Sequence, residues 1–226
     1  MRMRQYDPMF PRTALVTGGA SGIGAAIVDL LRSEGAEVQA LDLADGFDVS
    51  DASAWDSVGA AELAFLNAGI GTGEGDMREL TDERYRRIVG TNVDGVVFGV
   101  RRLARVMPAG GAIVVTASLA GLTTMFADPI YSGTKHFLVG FVRSVAPQLA
   151  ERGIRISAVC PGIVDTPLLG PMRQRTLDAG IELMRPEEIA DAVLSAARDE
   201  ASGQIWTCLP GRAPARHEFP RFFDSA

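Results

Sequence analysis

Cysteine and histidine are scarce in this 226-residue chain, with two of each. Cys160 and Cys208 lie in apolar, strand-like segments, which suits packed thiols and excludes a disulfide framework. Two cysteines and two histidines at these spacings make no zinc constellation, so no metal is expected. Positive charge is also in deficit: a net charge of -6 argues against nucleic acid or an anionic membrane as the main partner. No stretch of about 18 apolar residues exists to span a bilayer. The opening MRMRQYDPMFPRTALV lacks the apolar run of a signal peptide. A soluble, cytoplasmic protein is expected. Repeats and low-complexity linkers are absent as well, and 47% hydrophobic content suffices for one sizeable core, so residues 1–226 read as a single domain.

What is present is a regular alternation of strand and helix patterns. TALVT at 13–17 reads as a buried strand, and Ile23, Ile27, Leu30 and Leu31 recur at helical spacing until Gly35. Further strands are expected at 37–43, 62–69, 111–118, 154–162 and 204–209, with a helix opened by Pro186, Glu187 and Glu188 before the last. Such alternation implies an α/β fold: a doubly wound, Rossmann-like, mostly parallel sheet of about seven strands. One connection is too short. The five residues between Asp42 and Asp48 cannot hold a crossover helix, which needs about 10–12 residues. That helix is expected to be missing or vestigial, with FDV at 47–49 either a vestigial edge strand or an extended loop beside the second strand.

Between the first strand and its helix stands TGGASGIG at 17–24. Residues without Cβ atoms permit a tight turn and close approach of a phosphate, and the helix start aims free N–H groups at it. Gly18, Ser21, Gly22, Ile23 and Gly24 are therefore expected to hold a dinucleotide pyrophosphate. Asp42 ends the second strand, where a carboxylate can accept ribose hydroxyl protons and repel a 2′-phosphate, and neither Ser21 nor Leu43 offers that phosphate a cation. NAD is favoured over NADP. Tyr131 and Lys135, in YSGTK, share one helical face at i, i+4. A phenol needs its pKa lowered by about 3 units to act as a base near neutrality, and an ammonium one turn away favours the phenolate.

The glycine turn, LNAG at 66–69, TNV at 91–93, Ser118 thirteen residues before Tyr131, YSGTK, and CPGIVDTPL at 160–168 occur together and in one order. In this the chain, from about residue 13 to 209, resembles the classical short-chain dehydrogenase/reductase family. The resemblance implies that Tyr131 exchanges a proton with a substrate oxygen that Ser118 hydrogen-bonds. It also implies that Lys135 tunes the tyrosine and holds the nicotinamide ribose, and that Asn92, at a helix irregularity, positions a linking water. Asp48 and Val49 would border the adenine, and Asn67, Ala68 and Gly69 the adenosine ribose. Pro161, Gly162, Ile163 and Thr166 would shape the nicotinamide site. Leu66 departs from the family, which has asparagine there.

The activity so implied is NAD(H)-dependent interconversion of a secondary alcohol and a ketone. Leu119, Leu122, Met125, Phe126, Leu168, Leu169 and Met172 favour a hydrophobic or alicyclic small-molecule substrate beneath a lid at 166–185. Two alternatives stand beside it: an oxoacyl-thioester reductase, and a dinucleotide-sensing protein without catalysis. Helical stretches at 82–106 and 131–151 are apolar on more than one face, so a homodimer or homotetramer through them is expected. The arginines at 101, 102 and 105 read as a solvated helix face, His136 as a surface or interface residue, and the aromatic tail at 210–226 as a cap or a subunit contact.

Overall fold

The structure is a computed structural model that describes residues 11–220, so Phe222 and Phe223 of the tail and the first ten residues lie outside it. Seven strands form one sheet: β1 (Thr13–Thr17), β2 (Glu37–Leu41), β3 (Leu63–Leu66), β4 (Ala112–Thr116), β5 (Arg155–Pro161), β6 (Ile205–Cys208) and β7 (Ala215–Arg216). Their order is β2-β1-β3-β4-β5-β6-β7, all neighbours parallel except β6 and β7. LAFL and AIVVT are buried at every position, as central parallel strands with helices on both faces must be. EVQAL alternates exposed and half-buried residues up to the buried Leu41, because β2 forms the edge.

Helices α1 (Gly22–Ser33) and α6 (Pro186–Arg198) cover one face. The other is covered by α2 (Asp82–Val89), α3 (Gly95–Val106) and α4 (Pro129–Ala150); a short α5 (Met172–Asp178) stands in the expected lid. Two buried apolar clusters, one on each face, sandwich the sheet. Chain direction across the sheet reverses between β1 and β3, and the turn after β1 lies at this switch point. In open parallel sheets the crevice outside the carboxyl ends of the strands at such a point takes the ligand.

No α-helix forms between β2 and β3; the connection holds only two short 3-10 turns, Leu43–Asp45 and Ala54–Ser57. Residues 47–49 form no strand, so of the two expectations it is the loop after β2 that the structure takes; the seventh strand is Ala215–Arg216, laid antiparallel on β6. The reason is local. Asp48 Oδ1 accepts from the backbone N–H and the hydroxyl of Ser50, at 2.8 and 2.7 Å, which bends the chain. Trp55, 1% exposed, then drops into the space of the lost helix, and its Nε1 donates to Val49 O at 2.9 Å. Gly99 of α3 makes room, since a Cβ there would stand 2.7 Å from the indole. Arg102 is not merely solvated, because its Nε donates to Val58 O at 2.8 Å and ties this segment to α3.

Candidate active site

The glycine turn is dictated by contacts that a side chain would abolish. Gly18 and Gly22 have φ of +67° and +53°, in the left-handed region. A Cβ on Gly24 would lie 1.9 Å from the Gly18 carbonyl oxygen, so α1 can start this close to β1 only with glycine there. Ser21 occupies the N-cap without a side-chain cap, and α1 presents its first N–H groups to whatever lies in front. Asn67 Nδ2 donates to Thr17 O at 3.2 Å, and the backbone N–H groups of Asn67 and Ala68 donate to Thr17 Oγ1. These bonds stitch the end of β3 to the turn. The cradle suits a pyrophosphate: backbone donors at a helix start, and no room for side chains.

Asp42 joins the same cradle. Its two oxygens accept from Ala20 N and Ala44 N, both at 3.0 Å, so the carboxylate is fixed between the glycine turn and the next bend. Each oxygen keeps a lone pair for a further donor. Val49 turns away from this surface: it is 7% exposed and packs on Gly95, leaving Asp48 as the exposed member of that pair. Leu66, 2% exposed, sits against Gly99 in the core, where a second asparagine would have no apolar use.

Toward the other end of the crevice the helix from 82 to 106 is interrupted by a π turn at Gly90–Asp94, the irregularity expected around Asn92. Asn92 is fully buried. Its Oδ1 accepts from Ile70 N at 2.8 Å, and its Nδ2 donates to Ile70 O and Thr134 Oγ1 at 2.9 and 3.1 Å. Lys135 is the chain's one lysine, and it is 3% exposed. Its ammonium donates to Thr116 O at 2.9 Å and lies 5.4 Å from the centre of the Tyr131 ring. Gly69 borders both, for a Cβ there would be 3.3 Å from Lys135 Nζ and 3.4 Å from Asn92 Oδ1.

Ser118 caps a 3-10 turn at Leu119–Gly121, its Oγ accepting from Ala120 N at 3.1 Å. That turn is pressed onto α4: Ser132 Oγ donates to Ala120 O at 2.8 Å, and a Cβ on Gly121 would be 2.6 Å from Lys135 O. Ser118, Tyr131 and Lys135 thus converge at the carboxyl ends of β4 and β5. Burial pulls the Lys135 ammonium down to about 8 and holds the Tyr131 phenol above its ordinary value, while the neighbouring Ser118 hydroxyl acts on the phenol in the opposite sense. Burial likewise pushes the thiols of Cys160 and Cys208 up to about 12 and about 11. Both are free, and they belong to the buried clusters on opposite faces of the sheet.

The expected lid is closed at its root. Val164 bridges Met184, Met184 N donates to Ile163 O at 2.8 Å, and Gly162 N donates to Cys208 O at 2.9 Å. Arg173 grips Asp165 through both carboxylate oxygens and holds that carboxyl below the usual range. Thr166 lies over Gly22, where a Cβ would come within 3.0 Å of its methyl, so the lid root and the glycine turn meet. Pro161 ends β5, and Ile163 is 38% exposed beside it. Leu168, Met172, Leu177 and Ile181 stand exposed on the lid, and Phe126, 88% exposed, stands ahead of α4.

Three residues escaped the sequence reading: Thr134, Asp128, and Thr72, whose N–H and hydroxyl both donate to Asp128 at 2.7 Å. Asp128 is 6% exposed and caps α4 by accepting from Tyr131 N at 2.9 Å. Only the N-cap pattern of aspartate before proline hinted at it.

A family model described as short chain dehydrogenase matches residues 48–177. The chain belongs to the short-chain dehydrogenase/reductase family. It is 34% identical to cis-4-hydroxycyclohexanecarboxylate dehydrogenase of Sinomonas cyclohexanicum over 233 residues, covering 88% of this chain and 94% of the relative. It is 32% identical to cyclohexanol dehydrogenase of an Acinetobacter species, over 84% and 89%. Among solved structures, a 3-ketoacyl-(acyl-carrier-protein) reductase of Brucella melitensis complexed with NADH superposes with a TM-score of 0.79 at 25% identity, covering 89% of this chain and 98% of the other. Among the described residues no helix is long and apolar enough to cross a membrane, and no three His, Cys, Asp or Glu side chains cluster to hold a metal.

Proposed function

We propose that this member of the family is an NAD(H)-dependent dehydrogenase that interconverts a secondary alcohol and a ketone on a hydrophobic, alicyclic substrate. The observation that carries the reading is the convergence of Ser118, Tyr131 and Lys135 beside the glycine cradle, with Asn92 locked behind them. Nicotinamide, when bound, supplies hydride exchange. Tyr131 gives or takes the proton of the substrate oxygen, and Ser118 hydrogen-bonds that oxygen as its charge develops. Lys135 keeps positive charge next to the phenol, and Asn92 holds the β3 loop and α4 in register around both. The phenol starts from a raised pKa, so Tyr131 needs that positive charge before it can act as a base.

The substrate class is supported by the cyclohexane-type alcohols named for the two relatives and by the apolar Phe126, Leu168 and Met172 beside the site. The fixed carboxylate of Asp42 supports NAD, since it would repel a 2′-phosphate; among similar solved structures one holds NADH and another NADP. On α4 the exposed Phe137 stacks at 5.6 Å on the half-buried Phe141, and this apolar surface supports self-association through that helix. A second reading, reduction of an oxoacyl thioester, draws on the likeness to the Brucella reductase.

One assay separates these readings. Cyclohexanol, 4-hydroxycyclohexanecarboxylate, linear secondary alcohols and a 3-oxoacyl thioester are each offered with NAD(H) and NADP(H), and the reduced cofactor is followed by absorbance. Turnover of the ring alcohols with NAD is expected. Turnover confined to the thioester, or a preference for NADP, overturns the reading.

A further inference from the structure

The loop that follows β3, residues 70–76, has no regular structure and contains three glycines, yet it is fastened at two points to the helix that carries Tyr131. The first is Asn92, which binds Ile70 on one side and Thr134 on the other. The second is Asp128. Its Oδ2 accepts from Thr72 N and Gly73 N at 2.7 and 3.1 Å; its Oδ1 accepts from the Thr72 hydroxyl and from Tyr131 N at 2.7 and 2.9 Å. The Thr72 hydroxyl also accepts from Glu74 N at 3.0 Å, so the loop is folded around the same point. Gly71 lets the carboxylate in, since a Cβ there would stand 3.2 Å from Oδ2.

All four partners of Asp128 are donors. Only an ionised carboxylate offers four acceptor sites and no hydrogen of its own; an amide of the same shape would set N–H against N–H on one side or the other. A helix cap alone needs one acceptor. The other three bonds serve the loop, and they reach a segment 56 residues away.

We propose that Asp128 is a positioning residue for the reaction, fastening the loop after β3 to the first turn of α4 and so fixing where the Tyr131 phenol stands between loop and sheet. This rests on reading Tyr131 as the acid-base group. The ionisable groups that face the phenol are Asp128 itself, Lys135 on the same helix and Cys160 of β5. Asp128 also makes the phenol harder to ionise. Loss of its charge therefore moves the phenol midpoint down, while faster exchange in the loop is the change that a carboxylate capping α4 alone would not produce.

The test compares Asp128→Ser, which keeps the helix cap and loses the loop bonds and the charge, with Thr72→Val, which loses the bonds of the hydroxyl, to Asp128 and from Glu74 N, and keeps the charge. Turnover of the best ring alcohol, the KM for NAD, amide exchange at Thr72 and Gly73, and the Tyr131 phenol midpoint by carbon-13 tyrosine NMR are measured on each. For Asp128→Ser, kcat is expected to fall about 10–100-fold, the loss a small misplacement of a reacting group brings, with KM for NAD within about 3-fold. Exchange at Thr72 and Gly73 quickens at least about tenfold, and the midpoint drops. Thr72→Val should move kcat and exchange the same way by less, and leave the midpoint in place. Unchanged kcat in folded Asp128→Ser, or slower turnover with loop exchange and midpoint both unchanged, overturns the proposal. If Asp128→Ser does not fold, Thr72→Val with wild-type kcat and exchange overturns it. If the wild-type chain turns over no alcohol, it is the dehydrogenase reading that fails, and loop exchange with the phenol midpoint still decides the role of Asp128.

Discussion

On the α4 side of the crevice, Asn92, Asp128, Thr134 and Lys135 are buried, and each gives its polar atoms to a named backbone or hydroxyl partner. Beyond Asp42, at the other end, the chain crosses from β2 to β3 with no α-helix, and one tryptophan fills the space. The first region has to hold a proton-transferring group to a fraction of an ångström, which takes directional bonds from several elements. The second has to keep water off the sheet, and a single large side chain with one hydrogen bond suffices. Precision is spread over many small contacts in one place, and cover is concentrated in one residue in the other.

The comparison can be broken in four ways. Replacing Tyr131 with Phe should lower turnover about 10²–10⁴-fold while NAD affinity by calorimetry stays the same; equal turnover would sink the assignment of the phenol. Trp55→Ala should cost about 3–5 kcal/mol in urea unfolding, because it empties a site that is 1% exposed and strips the edge contact with Phe47. Turnover per folded molecule should meanwhile hold within about 2-fold, since cover and catalysis are separate. If Trp55→Ala instead destroys activity in folded protein, the two ends of the site are coupled.

Lys135→Met should destroy activity and yet stabilise the fold near neutrality. The wild-type ammonium is held at about 8 in the folded chain against an ordinary 10.5, so below pH 8 the folded state carries the full cost of burying it, about 3 kcal/mol. Between pH 8 and 10.5 the unfolded chain binds more protons than the folded one, and wild-type stability gains from this group as pH rises. After the lost bond to Thr116 the net advantage of the methionine variant is about 1–3 kcal/mol at pH 7, shrinking toward pH 10. Urea unfolding at the two pH values checks the sign; an advantage that grows with pH would refute it. The smallest effect is expected at Asp42→Asn, where the ratio of NAD to NADP turnover should move about tenfold toward NADP as charge repulsion is lost. An unchanged ratio would take the cofactor preference away from that carboxylate.

Much of this architecture could be read from the chain because it is local. The glycine turn, the i, i+4 pair of Tyr131 and Lys135, the buried strands and the shortened crossover all declare themselves within a few residues. The helix irregularity at Asn92 followed from the family resemblance. Asp128 did not declare itself, because three of its four bonds reach 55 and 56 residues back along the chain. Arg102 passed for a solvated residue because its partner carbonyl is 44 residues away. A strand of two residues such as β7 has no periodicity to show, and Val49 had a surface role by motif but a core position by packing.

Lys135 is one of 22 basic residues, the other 21 being arginine. The folded chain therefore carries its only side-chain amine beneath the surface, against the Thr116 carbonyl. Amine-directed acylation, apart from the chain's own amino terminus, has a single target, and it can reach that target only in molecules that have opened around the active site. The rate at which an acyl group appears on the peptide that carries Lys135 then reports those openings, with no second lysine to subtract.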